Sequence, residues 1–103
     1  LTEKGELVNG RVRPEGERNE HDILTGSDSH GRAFPPGTAS AGNNLTCNNW
    51  TYGGSDGNAM IGHHDRQSGW NTSWNSSHST RGCTLEDFQS TGGAGRFYCF
   101  AAD

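Results

Sequence analysis

Apolar residues are sparse along this chain and come in short groups, so the pattern predicts short elements separated by long polar segments. Leu7-Val8-Asn9-Gly10-Arg11-Val12 sets Asn-Gly between small apolar groups, a dipeptide suited to the positive backbone angles of a two-residue turn, and a small hairpin is expected there. Residues 15–20 show no periodicity and read as an exposed loop. Asp22-Ile23-Leu24-Thr25 reads as a strand, stopped by the turn-forming Gly26-Ser27-Asp28-Ser29-His30-Gly31. A second loop begins at Phe34-Pro35-Pro36-Gly37. Further short strands are expected over residues 46–52 and 59–63, with a Gly-rich turn at 53–57 between them. Arg96-Phe97-Tyr98-Cys99-Phe100 is aromatic on both faces and reads as the strongest, buried strand. Only Thr84-Leu85-Glu86-Asp87-Phe88 looks helical: Thr84 suits an N-cap, and acids are favoured in a first turn. The helix should last one or two turns and end at Gly92-Gly93-Ala94-Gly95.

Composition sharpens this picture. Hydrophobic residues make up 28% of 103, and Leu, Ile, Val and Phe together number 13, the range in which chains are often disordered. The net charge is only −4, however, and three Trp, two Tyr, 16 Gly and three Cys describe instead a loop-rich domain held by a few large side chains and disulfides. Eight basic residues against twelve acidic ones, with the arginines scattered, exclude a nucleic-acid groove. The longest apolar run, residues 97–102, is too short to span a bilayer, and neither end reads as a signal peptide.

Cysteines in so small a chain point to an oxidising compartment, secreted or periplasmic. There is no Cys-x-x-Cys, so the spacing carries no zinc signature. With three cysteines, one sulfur is free or has a partner outside these residues.

The order Cys47-Asn48-Asn49-Trp50, Trp74-Asn75, Cys83 and Phe97-Tyr98-Cys99-Phe100 resembles the C-terminal half of a C-type-lectin-like domain. Thr25-Gly26-Ser27-Asp28 with Gly31-Arg32, followed by Cys47 and Trp50, is more similar still to endostatin, the C-terminal domain of some collagens. Asn49-Trp50-Thr51, Gly62-His63-His64-Asp65-Arg66, Ser73-Trp74-Asn75-Ser76 and the run from Gly92 to Phe100 also resemble a set of secreted bacterial proteins often called lectins. The resemblance implies an α+β, C-type-lectin-like (endostatin-like) fold with short twisted antiparallel strands, long ordered loops and one short helix. It also implies a disulfide from Cys47 to Cys83, with Cys99 seeking a partner upstream of this chain. Residues 1–21 are then a polar hairpin or loop segment, and residues 22–103 the second half of a larger domain whose missing upstream half is a partner through Cys99.

Candidate chemistry is limited. Ser76 stands where the family's Trp-Asn-Asp motif has its aspartate, and there is no Glu-Pro-Asn, so neither calcium nor any other cofactor is expected. Gly62-His63-His64-Asp65 offers imidazoles and a carboxylate, but neighbours on a strand face opposite sides, so His63, His64 and Asp65 are weak metal candidates. Trp70 and Trp74 in an Asn- and Ser-rich segment provide the aromatic faces and polar neighbours that a sugar would use, and Trp50, Asn75 and His78 complete the candidate ligand-binding set. The sequons at Asn44, Asn49, Asn71 and Asn75 are expected to be unused, given the bacterial likeness. No nucleophile elbow, Walker loop or His-Glu-x-x-His is present, and no enzymatic activity is expected. The expected function is recognition of a glycan or other extracellular ligand; the alternative is an accessory subunit docking on another protein through its loops.

Overall fold

The computed structural model describes residues 1–34, 45–67, 69 and 71–102. Ile23 and Leu24 supply the apolar pair that seats the central strand β1 (Asp22–Leu24), all three of whose residues are buried. Antiparallel to it runs β2 (Met60–His63), pairing Asp22 with His63 and Leu24 with Ile61, and β3 (His78–Ser79) extends the sheet beyond β2. On the other side β4 (Gly93–Phe97) lies parallel to β1, giving the order β3-β2-β1-β4. The result is a small α+β unit with a mixed sheet, not an all-antiparallel one.

Helix α2 (Leu85–Ser90) starts where the sequence indicates. Thr84 accepts a hydrogen bond from the Asp87 amide, and the Asp87 carboxylate reaches back to the Thr84 amide, closing a capping box. Phe88 packs from this helix onto the core of Leu24, Cys47, Ala59, Ile61 and Cys83, in which Ile61 is the largest fully buried side chain. Cys47 and Cys83 form a disulfide inside that core, whereas Cys99 is an exposed free thiol. Among the described residues, buried polar side chains are as prominent as apolar ones: His21, Asp22, His63, Asn75, Ser77 and Thr80 are all inside. Their hydrogen bonds therefore carry much of the specification of the interior.

Three expectations are corrected. Residues 46–52 do not extend as a strand; α1 (Cys47–Trp50) is one left-handed turn, with positive φ at Cys47, Asn48, Asn49 and Trp50. Asn is among the few L-residues that tolerate this conformation, and the Thr46 hydroxyl accepts from the Asn49 amide to hold it. No hairpin forms at Asn9-Gly10. The Asp65 carboxylate takes the Arg11 amide at 2.7 Å and His64 Nε2 contacts the Asn9 carbonyl, so this segment is pinned to the end of β2 and Leu7 and Val12 stay exposed. The last strand begins earlier than expected, because Gly93 fits against Asp22 and the Phe88 carbonyl where a Cβ would crowd both. Phe97 and Phe100 are consequently exposed, at 55% and 75%, and not buried in a strand. The loop beginning at Phe34 lies mostly outside the described residues.

Candidate functional site

Alternation along β2 separates its adjacent histidines as strand geometry requires. His63 turns inward onto β1, and His64 turns to the N-terminal segment. The inward side also receives His21, just ahead of β1, and His78 from β3, so three imidazoles surround one carboxylate. His63 Nε2 lies 3.0 Å, His21 Nε2 3.4 Å and His78 Nε2 3.6 Å from Asp22 Oδ1, and the Nε2 atoms of His63 and His78 are 3.2 Å apart. The rings of His21 and His63 stack at 3.8 Å.

The outward atoms of these side chains are all engaged. His21 Nδ1 meets Asp65 Oδ1 at 3.1 Å, His63 Nδ1 meets Ser77 Oγ at 3.3 Å, His78 Nδ1 meets the Ser79 carbonyl at 3.0 Å, and Asp22 Oδ2 accepts from the Thr91 hydroxyl. Asp22 Oδ1, by contrast, is buried with no donor aligned on it, despite the three nitrogens nearby. Burial alone would raise the Asp22 pKa, but His63, His78 and Thr91 outweigh it and hold the group at about 2. Burial, then His63, lowers the pKa of His21, against the pull of Asp65 and Asp22. His78 is raised, chiefly by Asp22, against its partial burial.

A second feature lies along the same stretch of β2. The His63 amide donates to the Ser73 carbonyl and the Ser77 amide to the Ile61 carbonyl, which lays the 73–77 loop along the strand. Gly62 permits this approach, since a Cβ there would strike the Trp74 carbonyl. The Trp74 indole is 43% exposed and is held edge-on by Tyr98 and Phe100, while the Tyr98 hydroxyl donates to the Trp74 carbonyl. Beside it opens a cleft of about 620 Å³ lined by Ser29, Arg66, Asn71, Thr72 and Ser73.

The residues singled out from sequence are thus divided. Trp74 presents an exposed ring beside the cleft, and Asn75, which also lines it, is 4% exposed with its side chain bonded to the Asp28 carbonyl and the Ser73 hydroxyl. His78 joins the imidazole cluster, not the Trp74 cleft. Trp50 is 41% exposed and packs edge-on against Phe97, away from the residues that line the cleft. Trp70 lies outside the described residues. Of the weak metal candidates, only His63 enters the cluster; Asp65 supports it from outside through His21, and His64 faces elsewhere. His21 and Asp22 were not singled out. Their one sequence signal is a titratable pair directly before the apolar Ile23-Leu24, and only the register of β1 against β2 gives it meaning.

Comparison of the chain with protein-family models, curated proteins and solved structures gives no match. Among the described residues no helix is long and apolar enough to cross a membrane.

Proposed function

We propose that this chain is a non-enzymatic binding module of a secreted or periplasmic protein that recognises a glycan at the Trp74 cleft, within a C-type-lectin-like architecture. The observation that carries the reading is the indole of Trp74, exposed yet fixed by Tyr98 and Phe100 beside a polar cleft. A sugar ring offers an apolar face for such an indole and hydroxyls for the groups around it. Asn71 and Ser73 spend their hydrogen bonds on the loop itself, which leaves Thr72, Ser29 and the Arg66 guanidinium to meet a ligand. The guanidinium favours sugars carrying an acidic group over neutral ones. The test is a glycan panel followed by titration with the best ligand. Saturable binding that free sugar competes away, lost in Trp74→Ala and weakened in Arg66→Ala at unchanged fold, is expected. Failure of the correctly oxidised chain to bind any sugar would remove the reading.

A second reading, an accessory subunit docking on another protein, is favoured by the exposed Phe97, Phe100 and Leu85 around β4. It predicts isolation in fixed stoichiometry with a partner, and indifference to sugars.

A further inference from the structure

We infer that His21, Asp22, His63 and His78 form a binding site for one divalent transition-metal ion of the zinc class, which clips β1, β2 and β3 together. The inference begins with the protons, assigned from the hydrogen-bond network. A carboxylate and a carbonyl only accept, so His21 Nδ1 facing Asp65 and His78 Nδ1 facing the Ser79 carbonyl both carry hydrogen. Ser77 Oγ gives its own hydrogen to the Asn71 carbonyl, so it accepts from His63 Nδ1, which is therefore protonated too. In its neutral form each ring then carries its free lone pair on Nε2, the atom nearest Asp22 Oδ1. The three Nε2 atoms gather around one oxygen, Asp22 Oδ1, that has no aligned donor and belongs to a side chain 2% exposed.

Lone pairs brought so close need a shared positive centre. A proton sits on one nitrogen–oxygen or nitrogen–nitrogen line at a time, whereas a metal ion can be shared by several of these atoms, those of His21, Asp22 and His63 lying within 4.8 Å of one another and His78 Nε2 lying beside the last two. Bond lengths of about 2.0–2.1 Å in a tetrahedral zinc site place ligand atoms about 3.3 Å apart. Four of the six separations among these atoms are 3.0, 3.2, 3.4 and 3.6 Å. Three nitrogens and one oxygen suit zinc, cobalt or nickel and disfavour calcium or magnesium, which take oxygen sets. The outer partners Asp65, Ser77, the Ser79 carbonyl and Thr91 orient the ligands as outer-shell groups do around a metal-bound histidine. One adjustment is required: the His21 ring, stacked within 14° of His63, must tilt for its lone pair to reach a common centre. His63, His78 and Asp22 are accordingly the principal ligands and His21 the fourth.

The test uses the oxidised chain, stripped with a chelator and titrated with Co²⁺, then Zn²⁺. One equivalent of Co²⁺ should bind with the visible absorption of a four-coordinate ion, be displaced by Zn²⁺, raise the melting temperature, and be ignored by Ca²⁺ and Mg²⁺. His78 is 35% exposed at its side chain, so His78→Gln should fold and yet bind at least ~10-fold more weakly. Asp65→Asn should weaken binding ~10-fold through His21, and His30→Ala, in a distant exposed turn, should not change it. Absence of stoichiometric Co²⁺ uptake by the folded chain overturns the inference. So does undiminished affinity in His78→Gln, even if Asp22→Asn proves unable to fold. Neither result bears on the Trp74 cleft, which shares no ligand with this site.

Discussion

Reducing the Cys47–Cys83 bond should remove most of the stability of this domain. The bond spans a sequence separation of 36, and the chain-entropy relation for a loop of that size gives about 4 kcal/mol at 25 °C. Small domains are stable by about 5–15 kcal/mol, and one whose only fully buried large side chain among the described residues is Ile61 belongs at the low end. Reduction leaves both sulfurs in the core beside Ala59 and Ile61, so the measured difference isolates the constraint from lost packing. The assay is urea unfolding by tryptophan fluorescence, comparing oxidised and reduced chains in a Cys99→Ser background, which excludes exchange with the exposed thiol. The reduced chain should unfold at much lower urea, with a larger slope, because its denatured state is less confined. A difference below about 1 kcal/mol would refute the reasoning: the loop would then be confined in the unfolded chain by something other than the bond.

Other outcomes follow from single contacts. Gly62→Ala should destabilise by about 3 kcal/mol or more, since its Cβ meets backbone of Trp74 that cannot swing aside, and sugar binding should fall with it; equal melting temperatures would contradict the close approach. Thr84→Ala should cost about 1 kcal/mol by opening the capping box, read from the shift in urea midpoint. Asp28 accepts from the amides of Arg32 and His30, which hold its pKa below the usual carboxylate value. Its contribution is therefore complete above the unfolded value of about 3.9 and is lost as pH falls through the lower folded value. Asp28→Asn should flatten that acid limb of melting temperature against pH, and an unchanged limb would show that the Gly26–Arg32 turn does not depend on the charge.

Local rules made part of this fold legible. The Ile23-Leu24 pair bounded by a Gly-rich turn indicates β1, Thr84 with Asp87 indicates α2, and the opposed faces of His63 and His64 follow from pleating alone. What escaped depends on distant partners or rare conformations. The run from Cys47 to Trp50 looks extended until Asn48 and Asn49 are allowed positive φ. The aromatic tail at residues 97–100 looks like core because nothing local says that Gly93 will carry the contact with β1 instead. The imidazole cluster draws on residues 21, 22, 63 and 78. No spacing rule joins them, because their meeting depends on the pairing Asp22↔His63 and Ile61↔His78.

The parallel pairing of β1 with β4 also sets the order in which the molecule can assemble. β1 is one of the two inner strands of the sheet, yet one of its two neighbours lies about two thirds of the chain length downstream, Asp22 pairing with Gly93. Until Gly93–Phe97 is in place, β1 offers an open row of amides and carbonyls, and the closure that covers it is among the longest-range steps available to a chain of this size. Such non-local pairing slows folding and prolongs the lifetime of the exposed edge. On that ground the β1–β2–β3 meander, closed by the disulfide loop, is expected to form first and β4 to dock last.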